Sequence, residues 1–204
     1  MKKLILLGLF FLVIGIFSQN AHALTYKIDP YPGRPSGPPD YWGGGAFLIN
    51  ESMATYCLEL HESISLGSTY FGTIDDFAHK GGVNSGQDYL DVRSEWLVAN
   101  YLNHSLVNGN RMKDFQNAIW YIEGELGSLP TLLGGTDYYA LVSAANAQDI
   151  PWIRVLNLYS YDQSGALVDN QSVIITPEPG TLLLLGAGLL GVGFLVRRKI
   201  RSLN

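Results

Sequence analysis

A second cysteine is missing from this 204-residue chain, and with it every internal disulfide, because Cys57 stands alone. In an oxidising compartment such a residue bonds to another chain, stays a buried thiol, or does chemistry. Basic charge is also scarce. Six of the 13 Lys/Arg residues crowd into the two ends, leaving residues 24–176 with 7 basic against 17 acidic side chains, a formal net charge of −10. A domain that acidic repels phosphates, which argues against nucleic acid and anionic lipid as partners and favours neutral or basic ones. His61, His79 and His104 are scattered, and no Cys/His cluster has the spacing of metal ligands. Asp75, Asp76, Asn84, Asp88 and Asp91 lack the Asp-x-Asp-x-Asp-Gly order of a calcium loop. The sequence therefore calls for neither metal nor cofactor. It has no internal repeat, and the Asn-x-Ser triplets at Asn50, Asn103 and Asn170 read as chance.

Long apolar runs are confined to the ends. Met1-Lys2-Lys3, the apolar run Leu4 to Phe17 and the small residues Ala21-His22-Ala23 make a secretory signal, residues 1–23, with cleavage after Ala23. At the other end Pro177-Glu178-Pro179-Gly180 precedes the apolar stretch Thr181 to Val196 and the basic cluster Arg197-Arg198-Lys199-Ile200-Arg201. The stretch is slightly short for a membrane span, but Ile175, Ile200 and snorkelling arginines extend it. The basic cluster keeps its end on the cytoplasmic side, so the middle of the chain is expected outside the inner membrane. Three parts follow: a signal peptide at 1–23, a domain at 24–176, and a C-terminal segment at 177–204 with a transmembrane helix.

The order of these C-terminal features resembles the PEP-CTERM sorting signal of Gram-negative bacteria. The resemblance implies a membrane-embedded exosortase, a cysteine-dependent transpeptidase-like enzyme, as a processing partner. Cleavage near Pro177, Glu178 and Pro179 would then free the protein, or re-attach it, at the cell surface or extracellular matrix, with the inner membrane a transient host.

Between the ends, residues 29–45 are rich in Pro and Gly and predict an extended arm. Ala46 to Asn50 and Met53 to Leu60 read as strands, the second with Thr55, Cys57 and Glu59 on one face and Tyr56, Leu58 and Leu60 on the other, greasier one. Residues 65–87 read as a long surface excursion. Val92, Trp96, Ala99, Leu102 and Leu106 recur at helical spacing behind Asp88 or Asp91 as cap, and Asn108-Gly109-Asn110 stops that helix. A second helix, starting near Met112 to Asp114, carries the stripe Phe115, Ala118, Ile119, Ile122 and Leu126 and ends at Gly127. A third runs from about Asp137 to Gln148. Ile153 to Tyr159 and Ala166 to Ile175 form a terminal hairpin. The order predicts an α+β fold, a sheet or barrel built from N- and C-terminal strands with a helical insert.

Tyr56-Cys57-Leu58-Glu59 and Gln116-Asn117-Ala118-Ile119-Trp120 resemble the two signatures of bacterial thioester domains, in which a strand Cys and a helix Gln join side chains. Surface adhesins use that bond as a single-shot covalent hook for amines. A wider pattern seen in PEP-CTERM proteins is similar too: Gly43 to Gly45, Cys57 with Glu59 and Glu62, Gly81-Gly82, Trp96, and Gln116 through Glu125, with His61 where that pattern has Asn. The resemblance implies a Cys57–Gln116 thioester, with His61, Trp120, Tyr56, Glu59 and Glu123 as supporting residues.

The chemistry suits these residue types. A thiolate attacks the Gln116 carboxamide carbon and ammonia leaves, storing an activated acyl group that a protein amine or a polysaccharide hydroxyl can capture. Because an amide is a poor electrophile, the attack needs close positioning and a polarised carbonyl. The thiol needs a base or a positive dipole, for which His61 and the start of the Gln116 helix are candidates. Tyr56, Trp120 and Tyr121 are candidates to keep water away. Such a protein acylates once and is no turnover enzyme. A cysteine hydrolase pairing Cys57 with His61, His79 or His104 lacks a nucleophile motif. The competing reading is a noncovalent structural or carbohydrate-binding matrix protein, its aromatics stacking on sugars and Cys57 buried and inert.

Overall fold

The computed structural model describes residues 24–33, 45–81 and 86–176, together with 186, 188–190, 192 and 193. The expected signal peptide, the Pro177-Glu178-Pro179 motif, most of the apolar C-terminal stretch, the middle of the Pro/Gly arm, Gly82 and Asn84 lie outside the described residues. Among the described residues no helix is long and apolar enough to cross a membrane.

The chain forms strands β1 (Thr25–Pro30), β2 (Phe47–Ile49), β3 (Met53–Thr55), β4 (Thr69–Asp75), β5 (Phe77–Gly81) and β6 (Gly86–Tyr89). Helices α1 (Val92–Ser105), α2 (Gly109–Ile122) and α3 (Tyr138–Ala144) follow, then β7 (Arg154–Tyr161) and β8 (Leu167–Ile175). The mixed architecture is the expected one, with the helices inserted between early and late strands. Six strands make one antiparallel sheet in the order β3-β2-β1-β4-β7-β8, and β5 and β6 pair separately. Asn50 and Glu51, both with positive φ (50° and 62°), turn β2 into β3 in the hairpin geometry that left-handed residues permit.

The sheet curls until its two edges meet. Just beyond β3, Cys57 lies opposite Val173 of β8 in an isolated antiparallel bridge. Leu58 N–H donates to the Ser172 carbonyl (2.9 Å) and Ile174 N–H to that of Tyr56 (3.1 Å). Alternation along this segment divides the core in two. Tyr56, Leu58, Val155 and Ile174 pack with the helical residues Leu97, Phe115, Ala118, Ile119 and Tyr138. Cys57, Leu156, Leu158, Val173 and Ile175 turn the other way, toward Ile28, Phe47 and Ile49.

Several expectations need correction. The arm predicted from residue 29 overlaps a strand that starts at Thr25, and the excursion predicted at 65–87 contains β4, β5 and the start of β6. β4 sits in the middle of the sheet, between β1 and β7. Its Gly72 looked like a loop residue but answers a packing need: a Cβ there would lie 2.7 Å from Leu156 Cδ1 and 2.8 Å from the Tyr26 ring. The strand predicted to Leu60 stops at Thr55. Helix α1 takes Asp91 as its cap, yet buries Ser94, Glu95, Leu97 and Val98, leaving Val92 exposed, so the predicted stripe is rotated. Asn108 caps the start of α2 instead of ending α1, and Gly124 (φ 81°) rather than Gly127 lets the chain leave α2. Helix α3 ends at Ala144, short of Gln148.

Candidate functional site

The closing segment 56–58 bonds to β8 through the peptide groups of Tyr56 and Leu58, which leaves those of Cys57 aimed at the opposite edge. Gln116 of α2 takes that edge. Cys57 N–H donates to Gln116 Oε1 (3.0 Å), and Gln116 Nε2 donates to the Cys57 carbonyl (2.8 Å). The carboxamide thus stands in for the next strand, and its geometry is set from both sides. Gln116 is fully buried and Cys57 is 7% exposed. Expected on the less greasy face, Cys57 lies instead in the inner apolar cluster, because the curl of the sheet encloses that face as well.

The arrangement has chemical content. A donor on Oε1 stabilises the oxygen on which negative charge develops when a nucleophile adds to the amide carbon. The dipole expected from the helix start is not available at this point: α2 begins at Gly109, about two turns before Gln116.

The supporting residues divide. Trp120, one turn beyond Gln116 and 4% exposed, shares the inner cluster with Cys57. Tyr56 packs on the opposite side, with its ring 4.7 Å from that of Phe115 and its hydroxyl 2.7 Å from Ser105 Oγ. Tyr121 stacks edge-on against Tyr139 at 4.8 Å. His61, the candidate base, lies beyond the end of the strand and is exposed in a bend. His79 is engaged by Asp75 (2.9 Å), and His104 by the Tyr138 hydroxyl (3.1 Å). Glu123 accepts from Asp91 N–H at 3.3 Å through either oxygen, joining the end of α2 to the cap of α1, and burial pushes its carboxyl up to about 8. Glu59 is buried, and its carbonyl accepts from Gln171 Nε2 (2.7 Å).

Two residues outside the expected set hold the neighbourhood. Leu60 N–H donates to Glu125 Oε2 (3.1 Å), and Asp114 accepts from the N–H groups of Leu133 and Gly134 (2.8 and 2.7 Å). An acidic residue at either end of the apolar stripe Phe115 to Ile122 was the available signal for both, and Glu125 also closes the wider pattern. Glu62 accepts from Ser172 N–H (3.2 Å), and desolvation raises its carboxyl from 4.5 to about 7. A raised carboxyl favours the fold while protonated, so this contribution is complete below pH 4.5 and is lost as pH rises through about 7. Chemical denaturation across that window should show the wild type losing more stability than Glu62→Gln, which keeps the acceptor and leaves only the other raised carboxyls, such as Glu123, to titrate.

Residues 176–199 match the PEP-CTERM protein-sorting motif. The motif marks a protein for export, for processing by an exosortase, and for an extracellular or surface location. No curated protein matches the sequence. Among solved structures the chain is similar to the N-terminal thioester domain of a surface protein from Clostridium perfringens, at 13% identity and a TM-score of 0.46 over 75% of this chain and 98% of that one.

Proposed function

We propose that residues 24–176 form an internal thioester between Cys57 and Gln116 and spend it once, on an amine or hydroxyl at the cell surface or in the matrix. The supporting observation is the paired hydrogen bonding that seats the Gln116 carboxamide on the Cys57 backbone. In the forming step the thiol sulfur bonds to the carboxamide carbon, the carbon–nitrogen bond breaks, and the thiol proton leaves with the nitrogen as ammonia. In the capture step an incoming amine or hydroxyl bonds to that carbon, the carbon–sulfur bond breaks, and sulfur regains a proton. Trp120 and the inner cluster keep water from the stored bond. The intact mass of the purified chain tests the reading, since the bond costs it one ammonia.

The sorting half of the proposal places export across the inner membrane of a Gram-negative bacterium, with a transient anchor in residues 181–196 and cleavage near Pro177-Glu178-Pro179. In a host that carries an exosortase, a tag placed after Asn204 should separate from the domain. Retention of the tag on the mature protein would end this half of the reading.

A second, noncovalent reading has one observation in its favour. Phe71 and Tyr159 stack with centroids 5.7 Å apart, and Tyr161, 53% exposed, meets Phe71 edge-on at 5.5 Å. An aromatic strip of this kind suits the apolar face of a sugar.

A further inference from the structure

Three carboxylates far apart in sequence converge beside the segment that follows Cys57. Glu59, Asp88 of β6 and Glu125 offer ligand atoms that all lie within 4.8 Å of one another. Glu125 is only 8% exposed. One of its oxygens takes the Leu60 N–H, while the other, Oε1, is buried and has no hydrogen-bond partner among the described residues. Neither Asp88 nor Glu125 forms a salt bridge among the described residues. Like charges brought together out of water require a positive partner, and Glu125, one of the three, keeps a buried oxygen that no hydrogen bond among the described residues satisfies.

We propose that Glu59, Asp88 and Glu125 bind one divalent cation of the calcium type. The donors are all hard carboxylate oxygens, which select calcium or magnesium over the thiol- and imidazole-seeking metals. Separations of up to 4.8 Å leave room for the larger ion. Calcium–oxygen bonds of about 2.3–2.6 Å let opposite ligands stand about 5 Å apart, whereas magnesium holds them to about 4.2 Å and demands a stricter octahedron. Half-buried Asp88 leaves an approach for the ion and for the waters that complete its shell.

Such an ion would fasten three separate elements. Glu59 lies just past the closing segment, Glu125 just past α2, and Asp88 in the β5–β6 hairpin. Bound metal would therefore brace the stretch carrying Cys57 against the end of the helix carrying Gln116. The inference does not rest on thioester formation, because binding is read by heat and the thioester by mass.

The test is calorimetric titration of CaCl2 into the purified, chelator-stripped chain, with MgCl2 in parallel and thermal melting as a second readout. One calcium per chain is expected, with a dissociation constant on the order of 0.1–1 mM as in extracellular calcium modules, a raised melting temperature and weaker magnesium binding. Glu125→Gln keeps the acceptor for Leu60 N–H and removes the charge, so it should weaken calcium binding at least about tenfold. Asp88→Asn, at the rim, should do the same and keeps the test decisive if the buried variant misfolds. Absence of saturable heat and of a melting shift up to about 10 mM calcium would overturn the proposal. So would unchanged affinity in folded variants, which would assign the binding to diffuse acidic surface.

Discussion

The purified mature chain should weigh one ammonia less than its sequence mass, and methylamine should abolish that deficit. Each chain should take up one methylamine at Gln116, and the Cys57 sulfur should then react with a thiol reagent that it resisted before. Both effects should vanish in Cys57→Ala and in Gln116→Ala. The expectation is all-or-none because two of the demands of the chemistry coincide in the fold. Cys57 and the carboxamide are held together by hydrogen bonds of 3.0 and 2.8 Å, and one of these donates to the oxygen that becomes negative during attack. A chain of full mass whose Gln116 ignores methylamine would leave Cys57 an inert buried thiol and favour the noncovalent reading.

The other large effect concerns stability and is separable from the chemistry. Gln116→Ala strips both partners from the Cys57 peptide group, which lies where water does not reach. Each orphaned group costs about 1–3 kcal/mol, so a loss on the order of 2–6 kcal/mol is expected by urea unfolding, before any cavity contribution. The comparison belongs in a Cys57→Ala background, where no thioester forms. The lost bonds involve the backbone of residue 57 and persist when its sulfur is gone, so Gln116→Ala should remain strongly destabilising there. A loss below about 1 kcal/mol in that background would mean that the clamp on Cys57 carries little of the fold.

The resemblance to thioester domains singled out Cys57 and Gln116, which the fold brings into hydrogen-bonding contact, whereas the sheet that hosts them was harder to read. The two short motifs that carry the resemblance survive in a linear reading. The terminal hairpin was also readable, because two strand-like runs flank a turn at Gly165 (φ 80°). β4 was hidden because the residues that make it a strand lie elsewhere: Tyr26 and Leu156 leave no room for a side chain at residue 72. Helix α1 was rotated in the reading because its polar Ser94 and Glu95 are buried. Glu95 accepts the Ile150 N–H at 2.6 Å, a contact that no hydrophobic pattern encodes. The acidic trio of Glu59, Asp88 and Glu125 was invisible for a similar reason, since the segment after Cys57, the β5–β6 hairpin and the end of α2 meet only after folding. Shielding was assigned to Tyr56 and Trp120 alike, and only the curl of the sheet decides that they face opposite ways.

The meeting of the sheet's edges has a mechanical consequence. β8 is bonded on one side to β7 and on the other to residues 56–58, and the sorting motif begins at its very end. If the domain is tethered to a target through Gln116 and to the cell through its C-terminus, tension enters at α2 and leaves at the end of β8. Between them stand the paired bonds of Gln116 to the Cys57 backbone and those of residues 56–58 to β8, so the contacts that seat the carboxamide would also carry the load.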